Sequence, residues 1–185
     1  SGAVWHNANE IDDNGIDDDR NGYADDADGW NFSANNNDPR PSVLDASSKD
    51  ENDQTYRSIH HGTLVAGIVN AIANHHADRP VKLMNVKVVE SVGSGSSVPV
   101  GNAIRYAVDN GAHIINMSLV GTPDEQIKEA VKYAYERGVV VVAAAGNEHT
   151  DLNQRPSYPV CADAGESETW VLGVSAIEEA HYLTR

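Results

Sequence analysis

The sequence offers little from which a disulfide, a membrane span or a basic binding surface could be built. Its 185 residues include one cysteine, Cys161, which excludes a disulfide bond within the chain. No apolar run approaches the roughly 18 residues of a membrane helix, and no basic segment followed by an apolar stretch begins the sequence. Only 13 residues are basic against 28 acidic ones, and the formal net charge of −15 argues against nucleic acids and anionic membranes as partners.

The acidic residues are concentrated at the start of the sequence. Residues 1–53 hold 14 acidic and three basic side chains, a balance of −11, while the remainder carries −4. Such a field attracts hard divalent cations, and carboxylate and carbonyl oxygens are the usual ligands of calcium in proteins. We therefore expect calcium to bind in this region.

Residues 10–32 are interpreted as an acidic calcium-loop insert. Within it, DDDRNGYADDAD follows the register of an EF-hand loop, in which oxygen ligands at alternate positions converge on one ion and Gly22 permits the sharp turn. The predicted ligands are Asp17, Asp19, Asn21, Tyr23 through its carbonyl, Asp25 and Asp28. Asp28 stands where an EF-hand has glutamate, and no strong flanking helices are evident. We therefore expect a calcium loop, not an EF-hand domain, with a solvated acidic loop as the alternative.

From Val81 onward, short apolar runs alternate with segments of helical periodicity. The order VKLMNVKVV, PVGNAIRYAVDNGA, HIINMSL, PDEQIKEAVKYAYERG, VVVVAAAGN and TWVLGVSAI predicts strand, helix, strand, helix, strand and strand. The run at 139–145 is apolar at every position and that at 113–119 at four of seven, as expected for strands covered on both faces of a parallel sheet. The pattern predicts an α/β fold, preceded by loops with one strand near residues 29–33.

Capping signals mark the ends of the predicted helices. Ser97 can cap a helix with proline in its first turn, and Thr122 begins the capping-box sequence Thr-Pro-Asp-Glu. Gly111 and Gly138 follow the predicted helices as stops. A further helix is expected to begin close to His61, because apolar residues recur at three- and four-residue spacing in HGTLVAGIVNAIAN.

Three short motifs carry candidate chemistry. His61 lies in HHGTLVAG, where small neighbours leave room for a substrate beside an imidazole base. The motifs INMSL and AAAGN follow, and the latter ends in Asn147. In content, order and separation, HGTxVAG, INMSL and AAAGN resemble the subtilase family of serine proteases. NGIDDDxNGYxDDxxGWNF resembles the insert of many bacterial subtilases, so the resemblance covers essentially the whole chain.

The resemblance implies a subtilisin-like three-layer fold, in which helices flank a mainly parallel central sheet. Residues 1–185 would all belong to one peptidase domain with this fold and would form an incomplete version of it. His61 would be the general base of an Asp-His-Ser triad, and Asn147 would donate to the oxyanion. Two segments would bind an extended peptide by adding it as a strand. They are Gly93, Ser94 and Gly95, and Ser118, Leu119, Val120 and Gly121.

The resemblance also implies polypeptide substrates, a secreted or cell-surface bacterial protein, and partners in the remaining segments of the protease domain. Neither Asp-Ser/Thr-Gly nor Gly-Thr-Ser-Met-Ala occurs, so we expect the triad aspartate and serine outside this chain and the chain alone to be inactive. Leu64 replaces a common histidine of the family. Val120 replaces a common glycine beside the specificity pocket, which predicts a narrower pocket for smaller side chains.

Three alternatives remain open. A non-catalytic calcium-binding subtilase-like module would be expected to have lost His61 or Asn147, and both are present. A nucleotide-binding α/β domain would carry GxGxxG or GxxxxGK[ST], and neither motif occurs. A metal hydrolase would use the four histidines at positions 60, 61, 75 and 76, but these adjacent pairs do not match the helical HExxH arrangement.

Overall fold

The computed structural model describes residues 2–41, 54–73, 75, 81–89 and 97–177. In chain order the elements are β1 (Gly29–Asn31), α1 (Gln54–Ala73), β2 (Asn85–Lys87), α2 (Ser97–Asp109), β3 (Ile114–Met117), α3 (Glu125–Glu136), β4 (Val140–Ala144) and β5 (Val171–Val174). The chain divides into two compact units, Ser1–Asn110 and Gly111–Arg185. The placing of residues 1–185 in one peptidase domain therefore stays a prediction.

An aromatic cluster anchors the acidic loop within the first unit. The ring of Tyr23 meets those of Trp30, Phe32 and Tyr106 edge to face, with centroids 5.2, 5.3 and 5.1 Å away. Trp30 lies in β1, which pairs in parallel with β2, and Tyr106 lies in α2. Edge-to-face aromatic pairs add to the stability already gained by burying the rings. The loop is thereby attached to the core of its unit.

The second unit is built on a parallel sheet in the order β3-β4-β5. Helix α3 packs against β4 and buries Ile127, Ala130, Val131 and Ala134, which recur at helical spacing. On the other face, Ile114, Val140 and Leu172 are between 48% and 64% exposed, so the described residues of the second unit do not cover that face. Parallel strands alternating with helices confirm the predicted α/β class.

The start of helix α1 differs from the sequence-based expectation. Helix α1 begins at Gln54, seven residues before His61, so the expectation that His61 occupies a helix start is wrong. The segment from Gln54 to His60 contains neither glycine nor proline, and nothing in it interrupts a helix.

The predicted helix stops at Gly111 and Gly138 are confirmed by positive φ angles of 80° and 73°.

The cap of α3 is Asp124 and not Thr122. Asp124 has extended backbone angles, and its carboxylate accepts hydrogen bonds from the amides of Gln126 and Ile127 at 2.9 and 3.3 Å. These amides have no partner within the helix, so the carboxylate satisfies donors that would otherwise lack one.

Among the described residues, no helix combines the length and apolar character needed to cross a bilayer.

Replacing Asp124 with alanine is expected to lower the free energy of unfolding by about 1 kcal/mol, because two helix amides lose their acceptor. Denaturant unfolding, followed by circular dichroism on the full-length gene product, measures this loss. Asp124→Asn is the matched control, since asparagine caps helices about as well as aspartate. An alanine variant as stable as the wild type would contradict the assigned cap.

Candidate functional site

Glu10 organises the backbone of the acidic loop. Its carboxylate accepts hydrogen bonds from the amides of Asp18 at 2.9 Å, Asp19 at 3.1 Å and Asp25 at 2.9 Å, and the Glu10 residue is only 6% exposed. Asp17 acts similarly on the next turn, accepting from the Gly22 amide at 2.8 Å. Gly22 has a φ of +97°, a conformation that glycine adopts without strain. The loop is therefore held by its own carboxylates.

Three carboxylates of the first unit converge at one point. One oxygen each from Glu10, Asp19 and Asp26 lies within 4.8 Å of the others. Oxygens bound to one calcium ion at about 2.3–2.6 Å lie no more than about 5 Å apart, so this spacing suits a shared divalent cation. The carboxamides of two asparagines, Asn7 and Asn21, each donate to both Asp19 and Asp26 at 2.8–3.2 Å. The three carboxylates can therefore hold a metal ion.

Two carboxylates of this cluster, those of Glu10 and Asp26, are buried, and the third, that of Asp19, is partly buried. Asp26 is fully inaccessible to solvent, and within the described residues none of the three carboxylates forms an ion pair. A buried negative charge is costly unless a cation or several hydrogen bonds compensate it. Burial raises the pKa of the neighbouring Tyr106, and the Asp26 carboxylate raises it further. The carboxamides of Asn7 and Asn21 already compensate part of the charge of Asp26, and a bound cation would compensate more of it.

The six predicted metal ligands take different positions in the loop. Asp19 belongs to the cluster, and Asn21 donates to it, but Asp17 serves the turn at Gly22. The Asp25 carboxylate accepts from backbone amides, at 2.9 Å from Asn14 and at 3.0 Å from Gly15. Tyr23 packs its ring in the aromatic cluster, and Asp28 lies 3.4 Å from His6 with 71% of its side chain exposed. The cluster thus contains Glu10 and Asp26, which the EF-hand register does not include, and the predicted ligand set of Asp17, Asp19, Asn21, Tyr23, Asp25 and Asp28 stays a prediction.

A cleft of about 290 Å³ lies at the carboxyl ends of the strands in the second unit. Three separate segments, which directly follow or end β3, β4 and β5, contribute to it because the carboxyl ends of parallel strands meet at one edge of a sheet. The lining residues are Ser118, Leu119, Val120, Ala144, Gly146, Asn147, Val174, Ser175 and Ala176. Open α/β sheets commonly bind ligands at this edge.

The turn after β4 presents Asn147 at the cleft. The amide of Ala145 donates to the Val174 carbonyl at 2.8 Å, which continues the β4–β5 pairing by one residue. Gly146 then takes a φ of +95°, and the chain leaves the sheet. Asn147 follows directly and is exposed. A carboxamide N–H at this position can donate to a group bound in the cleft.

Four predicted substrate-binding residues form the segment that follows β3. Ser118, Leu119 and Val120 line the cleft beside Asn147. Gly121 pairs with Tyr158, since its amide donates to the Tyr158 carbonyl at 2.8 Å and its carbonyl accepts from the Tyr158 amide at 3.0 Å. The backbone of Gly121 is therefore already paired with that of Tyr158. The other predicted segment, Gly93, Ser94 and Gly95, lies outside the described residues.

Comparison with known proteins identifies the lineage of this chain. The profile of the subtilase family matches residues 9–184, nearly the whole sequence. The chain belongs to the subtilase family. The family predicted from HGTxVAG, INMSL and AAAGN is thereby confirmed.

This subtilase is similar to several bacterial proteases over part of their length. Thermitase from Thermoactinomyces vulgaris is 41% identical over 105 residues, which are 54% of this chain and 37% of that protein. Subtilisin DY from Bacillus licheniformis is 39% identical over 124 residues, which are 64% of this chain and 43% of that protein. The chain thus spans less than half the length of these relatives.

A solved lanthipeptide protease shares the fold of this subtilase. Its TM-score is 0.54 at 24% identity, and the match covers 65% of this chain and 37% of that one. At this level of identity the likeness concerns the fold alone. It agrees with the parallel strands and flanking helices of the subtilase described above.

His61 lies on α1 in the first unit, and its side chain is exposed. Asn147 lies in the second unit, and the joint action of the two residues stays a prediction. Within the described residues, the groups of His, Cys, Asp and Glu close enough to hold a metal consist of Glu10, Asp19 and Asp26. Of the histidines considered for a metal hydrolase, His60, His61 and His75 therefore belong to no such group among the described residues, and His76 lies outside them.

Proposed function

We propose that this chain is part of a subtilisin-like serine endopeptidase, to which it supplies the general base His61 and the oxyanion donor Asn147. The triad aspartate and serine are contributed from outside the chain, which alone is inactive. One observation carries the proposal. Asn147 borders a cleft at the carboxyl edge of a parallel sheet in a member of the subtilase family.

Each of the two residues has one task in peptide-bond hydrolysis. The His61 imidazole accepts the proton of the serine hydroxyl as that oxygen attacks the scissile carbonyl, and later returns it to the leaving amine. The Asn147 carboxamide donates a hydrogen bond to the carbonyl oxygen as it becomes negatively charged. A donor already held in place stabilises the transition state more than the ground state, which lowers the barrier.

The substrates are polypeptides bound in extended form. The backbone of Ser118, Leu119 and Val120 pairs with the peptide on one side, and Gly93, Ser94 and Gly95 pair with it on the other. Support for the first side comes from the position of these three residues in the cleft that Asn147 borders.

We infer that the protein is secreted or lies on the cell surface of a bacterium. We also infer that nucleic acids and membranes are not partners, in keeping with the net charge of −15.

Labelling with a fluorophosphonate tests the proposed activity. The full-length gene product, purified in calcium, is expected to form a covalent serine adduct and to cleave casein. The isolated 185-residue chain is expected to do neither. A full-length protein that is folded and binds calcium but neither reacts nor cleaves would instead support a non-catalytic calcium-binding subtilase-like module.

We propose calcium as the cation of the acidic loop, held by Glu10, Asp19 and Asp26. Three oxygen donors with no sulfur or imidazole among them suit a hard cation. When bound, calcium supplies positive charge to buried carboxylates. Because Tyr23 attaches the same loop to the aromatic cluster, ordering the loop also stabilises the core of the first unit.

Replacing Asp26 with asparagine is expected to weaken calcium binding at least about tenfold, because a buried charged ligand is lost. At calcium about 100 times its dissociation constant, binding stabilises the wild type by about 2.7 kcal/mol, and the variant loses part of this gain. Calorimetric calcium titration and thermal unfolding in calcium or EGTA measure both effects.

Two further aspartates serve as controls for that substitution. Asp28→Asn is expected to leave calcium affinity unchanged, although the EF-hand register assigns Asp28 a ligand position. Asp38→Asn changes an exposed carboxylate paired with Arg40 at 2.6 Å. It tests whether the loss of one carboxylate charge elsewhere in the first unit is enough to lower calcium affinity. Loss of binding in Asp28→Asn with normal binding in Asp26→Asn would favour the EF-hand ligand set over the observed cluster.

A further inference from the structure

Tyr106 of helix α2 has a buried hydroxyl that the packing of its ring does not explain. The residue is 3% exposed, and its ring meets those of Tyr23 and Phe32 edge to face, at centroid distances of 5.1 and 5.5 Å. Among the described residues, no group forms a hydrogen bond of full geometry with the hydroxyl. A buried polar group without a partner is costly, and phenylalanine would fill the same space without that cost.

The Asp26 carboxylate is the neighbour of this hydroxyl. Burial raises the pKa of Tyr106, and Asp26 raises it further, as a hydrogen-bond acceptor and by its charge. The hydroxyl therefore lies close to Asp26 but short of a completed hydrogen bond. Each oxygen of Asp26 accepts one carboxamide N–H, from Asn7 at 2.8 Å and from Asn21 at 2.9 Å. Because a carboxylate has about four lone-pair sites, Asp26 can accept a third donor and still bind a cation.

Tyr106 differs from the two asparagines in the element that carries it. Asn7 and Asn21 belong to segments without regular secondary structure, whereas Tyr106 belongs to a 13-residue helix that buries several of its other side chains. A site whose residues are held by a helix is positioned more precisely than one held by loops alone. A donor on α2 can therefore fix Asp26 relative to the core of the first unit.

On the basis of the calcium proposal above, we infer that Tyr106 is a positioning residue of that site, whose hydroxyl donates to Asp26 when the three carboxylates hold a cation. The terminal torsion of an aspartate has no sharp preference of its own, so a donor on α2 restricts the rotation of the carboxylate. Hydrogen-bond partners that orient a metal ligand typically contribute about 10- to 100-fold to metal affinity. The same bond attaches the cation site to α2.

Tyr106→Phe removes the hydroxyl and keeps the ring in the aromatic cluster. In a calorimetric titration of the full-length gene product with calcium chloride, the dissociation constant is expected to rise at least about tenfold. The thermal unfolding midpoint in EGTA is expected to stay at or above that of the wild type, because the hydroxyl has no completed hydrogen bond to lose. Tyr135→Phe, which removes a hydroxyl from α3 in the second unit, is the matched control and should leave calcium affinity unchanged.

A double-mutant cycle tests whether the hydroxyl acts through Asp26. In an Asp26→Asn background, Tyr106→Phe is expected to change calcium affinity by less than about twofold, because the carboxylate that it positions is gone. Unchanged affinity in Tyr106→Phe alone, or an equal loss in both backgrounds, would overturn the inference and leave the calcium proposal intact. An unfolding midpoint that falls as far in EGTA as in calcium would also overturn it, since that result assigns Tyr106 a structural role only. Absence of calcium binding by the wild type would overturn the calcium proposal itself.

Discussion

Replacing His61 with alanine is expected to lower kcat of the full-length gene product by about 10⁶-fold, the loss known from subtilisin when its catalytic histidine is removed. A serine hydroxyl is a weak nucleophile at neutral pH and needs a base to accept its proton. Without the imidazole, binding of the peptide and stabilisation of the oxyanion remain, so a small residual rate is expected. Steady-state cleavage of a chromogenic peptide and the rate of fluorophosphonate labelling measure the loss.

His113→Ala is the matched control for this variant. His113 is exposed and directly precedes β3. Its backbone carbonyl, and not its imidazole, accepts the hydrogen bond from the Val140 amide at 3.0 Å. Removing the imidazole keeps that bond, so activity should not change. If His61→Ala retained activity within tenfold of the wild type while folding normally, His61 would not be the general base.

Replacing Asn147 with leucine is expected to lower kcat by about 10²–10³-fold, the loss measured in a subtilisin that lacks its oxyanion asparagine. Leucine has a similar size but no N–H donor, so stabilisation of the developing charge is lost while the cleft stays filled. KM is expected to change little, since this hydrogen bond strengthens in the transition state. Separate determination of kcat and KM on one peptide measures both effects.

Asn102→Leu provides the same chemical change at an exposed position of α2 that does not belong to the cleft lining. It should leave kcat and KM unaltered and thus controls for a surface leucine. A tenfold rise in KM at constant kcat in Asn147→Leu would assign Asn147 to ground-state binding and contradict its role as oxyanion donor.

Much of the second unit could be predicted because its signals are local. The apolar runs predicted as strands contain β3, β4 and β5, and Gly111 and Gly138 adopt the positive φ expected after helices. The errors occurred where neighbouring residues compete for one task. Thr122 and Asp124 both suit a helix cap, and the structure uses Asp124, whose carboxylate accepts from two helix amides.

The acidic loop was predicted in composition but not in arrangement. Asp13, Arg20 and Asp25 adopt left-handed conformations with φ angles of 57–60°. Each such residue changes the direction of the chain, which a periodic register does not anticipate. Asp26 and Glu10 meet Asp19 in this loop, although an EF-hand register assigns a role to neither Glu10 nor Asp26.

The sequence by itself determined the subtilase lineage, the α/β class and the excess of carboxylates near the start, because each depends on residue identity and local order. Only the tertiary structure decided which three carboxylates converge and which residues share the cleft with Asn147. Both are long-range contacts. They depend on where left-handed turns direct the loop and on the parallel pairing that brings the ends of β3, β4 and β5 to one edge.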